Sequence, residues 1–386
     1  MTRTGNIKNL IILLFILLSA MFFGCGFVEE ASFISGSSGP TRSDIPWWDD
    51  TWTYRRILTF DNSGQNENLT SFPLLVRLNS SRISYGATQD NGEDLRFIDE
   101  DGSTVLDHEI EVWNESGESV VWVNVPQIDA SSTSDYIMMY YGNSGALDGQ
   151  NAQSVWDTNF FLVWHCGEAP AGGEDVIDST ASPCNGRSTN MEAEDRVAAH
   201  IGYGLDLDGI NEWVDPEGTL DLGFFHALDT YETFEVWIKV DDTSSDQTLF
   251  EEGGSTNGLL VGLNADNVRF ATRNSGSQVT VNTAFNDTAS YHYIAEVFDN
   301  GTLISYLDSS PQSQAAGYST IGTHSGEPGV GGSADSDAVG HSGAGYYFDG
   351  IIDEVRMSDI ARTADWIAAQ YSSMSDTFVT YGTEEY

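Results

Sequence analysis

The sequence predicts an all-β protein of two β-sandwich (jelly-roll) domains with one short C-terminal helix. Three observations carry this. Short apolar runs recur along most of the chain, separated by turn residues. The stretch TFEVWIKV alternates Phe234, Val236, Ile238 and Val240 on one face against Glu235, Trp237 and Lys239 on the other, the pattern of a half-buried strand. Asp101-Gly102 and Asn300-Gly301 sit between such runs, and glycine accepts the positive φ of a hairpin tip without steric cost.

The elements follow in order. Arg3 and Lys8 precede LIILLFILLSAMFF, an apolar run placed and sized as a secretory signal peptide over residues 1–24. Gly24-Cys25 in FFGCG resembles the lipobox of bacterial lipoproteins, which implies a lipid on Cys25; ordinary cleavage nearby and an uncleaved anchor are the alternatives. All three export the rest. Residues 25–45, rich in Ser and Gly and without periodicity, form a flexible tether. Residues 46–150 hold RILTF, FPLLVRL, DLRFIDEDGSTVLDHEIEVW, SVVWVNVPQI and DYIMMYYGN, the strands of a first module. SGALDGQNAQ breaks the pattern, so the boundary falls near residue 150. The second module, 151–386, continues with TFEVWIKV, GLLVGLNADNVRFAT, YIAEVFDNGTLISYL, GAGYYFDGIIDEVRM and TFVTYGTEE. In TADWIAAQY, Thr363 stands as N-cap and Ala364, Ile367 and Tyr371 share one helical face.

Charge and cysteines narrow the class. The net charge of −44 repels nucleic acid and anionic membrane surfaces, while 40% hydrophobic and 12% aromatic residues are too many for a disordered acidic chain. Once Cys25 is assigned to lipid, Cys166 and Cys184 are left as an even pair in an exported chain, so a disulfide is expected; two unpaired buried thiols are the alternative.

Three stretches, VWHCGEAP…VIDSTASPCNGRS, IGYGLDLDGINEWVDP and FDGIIDEVRMSDIARTADWIAAQYSS, together resemble the laminin-G-like, concanavalin A-like domains of bacterial surface proteins. WTYRRILTF, DLRFIDEDGSTVLDHEIEVW, VWVNVP and MMYYGN resemble the family known as domain of unknown function 2341, whose activity is not established. The first resemblance implies a structural calcium where the opening and closing strands meet. By motif it would use Asp178, a carbonyl near Asn185, and Asp353, with Glu168 as an outer candidate; calcium takes such hard oxygen donors. The bland reading has Asp178 opening a turn and Asp353 facing solvent.

Catalysis finds little support. Concanavalin A-like hydrolases resembling this fold carry E-x-D-x-E runs, which set two carboxylates on one strand face. The second module has none, and Asp349 and Asp353 would stand about 13 Å apart at about 3.3 Å per residue. Glu109 and Glu111 share a face but belong to the first module. GHSGA lacks the last glycine and the helix of a nucleophile elbow, and the histidines show no zinc spacing. No catalytic residues are therefore assigned.

Sugar binding needs exposed aromatic faces beside amides and acids. Trp237 lies opposite the apolar face of its strand, and Trp47 and Trp48 precede the first one, so these three are the candidate platform residues; the Gly- and Ser-rich loop 324–345 is a candidate rim. The expected protein is an exported, lipid-anchored envelope protein, at the outer membrane or cell surface, that binds a glycan or surface polymer for adhesion or capture. A polysaccharide hydrolase and a purely structural envelope component are the competing classes.

Overall fold

The computed structural model describes residues 45–216, 225, 229–324, 326, 328–332, 339 and 346–386. The signal segment, Cys25, nearly all of the tether, GHSGA and most of the loop 324–345 lie outside the described residues.

The molecule is all-β, two sandwiches in four sheets. In the first module, one sheet runs Val105–Leu106, Arg96–Asp99, Tyr136–Tyr141, Tyr54–Phe60; the facing sheet runs Leu69–Leu78, Ser119–Ile128, His108–Val112. The hairpin after Asp99 turns at Gly102, where φ is +71°, and the Asp101 carboxylate accepts from the amides of Ser103 and Thr104.

In the second module, Asp349–Ser358 is central. It pairs on one side with Tyr231–Val240 and on the other with Tyr203–Asp208 and Phe160–Trp164, so Trp164 stands opposite Val355. The module's opening and closing strands thus lie side by side, as a jelly roll requires. The sheet extends through His292–Asp299, Thr302–Leu307 and Ser310–Ala316. Its partner sheet runs Ser277–Ala284, Asn267–Asn274, Gly258–Leu263, Gln247–Gly253, Gly329–Val330, Trp213–Asp215, Arg187–Thr189. Leu162, Phe234, Ile238, Phe250, Phe270, Ile352, Val355 and Met357 fill the core between them.

The modules share material at their junction. Val379–Tyr381 crosses back to pair with Tyr54–Phe60, setting Leu58 opposite Tyr381, so the last strand belongs to the first module's sheet and not to the second, where it was expected. The helix Ala364–Met374 is capped as expected, Thr363 Oγ1 accepting from the Trp366 amide at 3.1 Å. Its buried side is Trp366, Ile367, Ala369, Gln370, Ser373 and Met374; Ala364 is exposed and Tyr371 half-buried. That side packs on Leu69–Leu78, where Ser373 Oγ accepts from the Leu75 amide.

One apolar cluster therefore spans both modules: Trp122, Leu75 and Val123 from the first, Trp237, Tyr293, Ala295 and Val297 from the second, and Trp366 and Met374 from the helix. This corrects the reading of Trp237. It is 2% exposed, stacked on His200 at 3.7 Å, because the helix and the first module cover the outer face of its sheet.

Candidate functional site

At this junction the second module's outer face is charged and still buried. Alternation along Asp349–Ser358 sends Ile352, Val355 and Met357 inward. Between Asp353 and Arg356 the register against Tyr231–Val240 slips, leaving Glu354 and Val355 in a bulge opposite Val236, with Glu354 at φ +55°. The bulge puts Asp353 and Glu354 on the outer side together, followed by Arg356. His108–Val112 carries a matching irregularity: its pairing with Ser119–Ile128 slips between Ile110 and Val112, and Glu111 is the residue without a partner.

The two strands meet at His165, which follows Phe160–Trp164. Its Nδ1 lies 2.7 Å from Glu354 Oε1 and 3.6 Å from Glu111 Oε2; its Nε2 lies 3.5 Å from Glu109 Oε2. The ring stacks on Trp122 with centroids 5.8 Å apart. Trp122 Nε1 donates to Glu111 Oε2 at 2.9 Å, and Trp156 Nε1 and Ser179 Oγ donate to Glu109 at 3.2 and 2.6 Å. Gly202, at φ +52°, closes over Glu111, where any β-carbon would collide with that carboxylate and with Val112.

The electrostatics follow from burial and crowding. Burial opposes charge on His165, but Glu354 and Glu109 outweigh it and hold the imidazole well above its usual pKa. Burial and then the Glu354 charge push Glu111 up to about 8. Burial, with Glu354 and Glu111 beside it, raises Asp353 well above the carboxylate range. Glu109 is lowered in spite of burial, by the His165 charge.

Trp156 also forms part of the wall of a cleft of about 860 Å³ between the modules. Thr70, Ser71 and Asn124 of the first module face Ser182, Pro216 and Phe225 of the second across it, with Phe160, Phe161 and Asn159 along the connecting segment. Arg362 pins that segment through a two-pronged contact with Asp157, at 2.9 and 3.1 Å.

The residues expected to form a calcium site are placed differently. Asp178 is filled by four donors: the Val163 and Thr180 amides on Oδ1, the Cys184 amide and Thr180 Oγ1 on Oδ2. Asn185 Oδ1 accepts from the Asp178 amide, so the pair braces a turn. Asp353 accepts from the Ile201 amide on Oδ2 and keeps Oδ1 without a hydrogen bond, as Glu168 does Oε2. Asp178, Asp353 and Glu168 do not draw together as one ligand group; among the described residues the groups that do are Glu111, His165, Glu354 and Asp229, Glu252, His324.

The expected disulfide is also corrected. Cys166 and Cys184 are free and buried, with Cys166 Sγ facing the Trp164 carbonyl and Cys184 Sγ facing the Pro216 carbonyl. Trp47 and Trp48 are half-buried and pack with Trp52 and Tyr140 on the outer face of the first sheet, Arg55 lying over the Trp47 ring at 4.4 Å. Their packing is that of a strand entry.

Two adjoining sandwiches with a closed charged junction and an open cleft define a two-module all-β protein. Residues 219–368 match the concanavalin A-like lectin/glucanases superfamily, and residues 91–162 match the domain of unknown function 2341. The chain thus carries the second family's segment followed by a concanavalin A-like domain. No curated protein matches it. Among solved structures, domain 4 of AbnA, a GH43 extracellular arabinanase from Geobacillus stearothermophilus, in complex with arabinotriose, aligns at 16% identity and TM-score 0.41 over 54% of this chain and 97% of its own. The CBM40 of a Ruminococcus gnavus IT-sialidase, bound to α2,3 sialyllactose, aligns at 15% and 0.36 over 44% and 96%. The binding domain of botulinum neurotoxin DC in complex with SialylT aligns at 10% and 0.40 over 56% and 51%.

Proposed function

We propose that the protein is an exported, lipid-anchored envelope protein that binds a glycan without cleaving it, and that the cleft between its modules is the binding site. The observation that carries this reading is the lining. Trp156, Phe160 and Phe161 line the cleft together with Asn124, Gln153, Asn159 and Ser182, side chains that carry amides and a hydroxyl. Sugar rings need such a pairing, an apolar surface for their C–H faces and fixed polar groups for their hydroxyls. The cleft volume of about 860 Å³ suits an oligosaccharide segment.

The competing hydrolase reading draws on Glu109, Glu111 and Glu354. A glycosidase pair must flank a scissile bond with both carboxylates open to substrate. Here Glu111 is 3% exposed and Glu354 fully buried, closed off by Trp122, Gly202 and His165.

A glycan array followed by calorimetric titration tests the proposal. Binding that is weakened at least tenfold by Phe161→Ala and Asn159→Ala supports it. Binding unaffected by both changes, or reducing sugar released from the bound glycan, overturns it.

A further inference from the structure

We propose that Glu111, His165 and Glu354 form a zinc-type transition-metal site that fastens the two modules to each other. One ligand comes from the first module and two from the second, and their donor atoms all lie within 4.8 Å of one another.

Several independent features converge on a cation. Glu111 Oε1, Glu354 Oε2 and Asp353 Oδ1 are buried oxygens without a hydrogen bond, on carboxylates whose side chains are at least nine-tenths buried. Buried carboxylate oxygens are normally saturated with donors, so these mark acceptor capacity that the protein's hydrogen bonds leave unfilled. With every acid here ionised, the charge would also be out of balance. Glu109, Glu111, Asp353 and Glu354 crowd this corner, against the imidazole of His165 and the guanidinium of Arg356, whose Nε lies 3.9 Å from Glu354 Oε2. A divalent ion offsets that excess where, among the described residues, no further basic side chain pairs with these acids.

The imidazole is also oriented as a metal ligand. Nδ1 faces the two ligating carboxylates, while Nε2 faces Glu109, itself held by Trp156 and Ser179. A carboxylate on the far nitrogen is the usual outer support of a metal-bound histidine, fixing its tautomer. Around a tetrahedral ion with bonds of about 2.1 Å, donors stand about 3.4 Å apart. The 3.6 Å between Nδ1 and Glu111 Oε2 already matches, and the 2.7 Å contact with Glu354 opens by less than an ångström. A nitrogen donor with two carboxylates selects zinc or its transition-metal neighbours over calcium, which prefers six or more oxygens. The fourth position is left to water, and Trp156, which holds Glu109 through Nε1, also lines the cleft.

The purified full-length protein, stripped with EDTA and titrated with zinc chloride, tests this by calorimetry, metal analysis and thermal melting. The expected result is about one zinc bound at this site, a higher melting temperature with zinc, and affinity reduced 10–100-fold or more by Glu111→Gln and Glu354→Gln. Glu252→Gln, in the other acid-histidine group, leaves that zinc in place. Should a junction variant fail to fold, cobalt(II) on the unaltered protein decides. An intense four-coordinate visible spectrum that zinc displaces supports the site. No metal uptake, an EDTA-insensitive melting temperature, or zinc lost only with Glu252→Gln overturns it. Glycan binding is measured separately on the zinc-free protein, so failure of one proposal does not imply failure of the other.

Discussion

The strand Asp349–Ser358 has two buried faces, and they are buried by different physics. Inward, Ile352, Val355 and Met357 join a wholly apolar core. Outward, Asp353, Glu354 and Arg356 are equally inaccessible, yet they are held by an imidazole, indoles and a neighbouring module. The apolar face stabilises by area removed from water and tolerates change in proportion to volume. The charged face is stable only while every partner is present, since a buried charge left alone costs several kcal/mol. The lesson is that burial alone does not identify a core.

Removing the shared layer is the severest way to break this comparison. Deleting residues 363–386 strips Trp366, Ile367 and Met374 from the joint cluster and the Val379–Tyr381 edge from the first sheet. Each lost large side chain costs about 2–5 kcal/mol, so the sum approaches the whole stability of about 5–15 kcal/mol. Urea titration should show no native baseline. A truncated chain that still unfolds cooperatively would show the modules to be independent.

Next in size is a paired test of the two faces. Ile352→Ala should cost about 2–5 kcal/mol through its cavity, and Glu354→Ala about 3–5 kcal/mol by stranding His165 and Arg356. Equal midpoints for wild type and Glu354→Ala in denaturant titration would mean the charged face contributes nothing. Thr363→Ala removes one helix cap and should cost about 1 kcal/mol, read from the same titration.

The smallest effect sharpens the contrast between a buried and a surface histidine. His292 opens the strand His292–Asp299 and is half-buried, Nδ1 at 2.7 Å from Asp308 and Nε2 at 3.1 Å from Asp287. The Asp308 hydrogen bond, acting against burial, raises its pKa above the usual value of about 6.5. A histidine raised in the folded state contributes stability that is complete below about 6.5 and lost as pH rises through the folded value. Asp308→Asn should therefore reduce stability at pH 5.5 more than at pH 8.5. A pH-independent difference between the two proteins would discard this account.

Strand placement was largely legible in the sequence. SVVWVNVPQI coincides with Ser119–Ile128, and Asn300-Gly301, at φ 42° and 94°, joins His292–Asp299 to Thr302–Leu307 as the turn residues indicate. The side each residue faces was less legible. Strict alternation set Trp237 on an open surface, because a polar neighbour such as Glu235 signals solvent unless another module lies on top. The pairing of Glu111 and Glu354 with His165 was hidden because both acids occupy bulges, where a period of two fails, and because they sit in different modules. His165 itself carried a signal in the Trp-His pair, which pointed to the right strand but not to its partners across the junction. At Asp178, one of the residues the calcium resemblance implied, turn amides and a hydroxyl take up the lone pairs a metal would need.

The return of Val379–Tyr381 to the side of Tyr54–Phe60 has a consequence for biogenesis. Synthesis delivers the chain from its N-terminal end, yet the first sheet keeps an open edge, able to recruit strands from other chains, until Val379–Tyr381 arrives. Maturation of the front half is thus gated by completion of the back half. A chain that stops short of Val379 carries an unsealed edge open to pairing with other chains, whereas one that includes Val379–Tyr381 closes it.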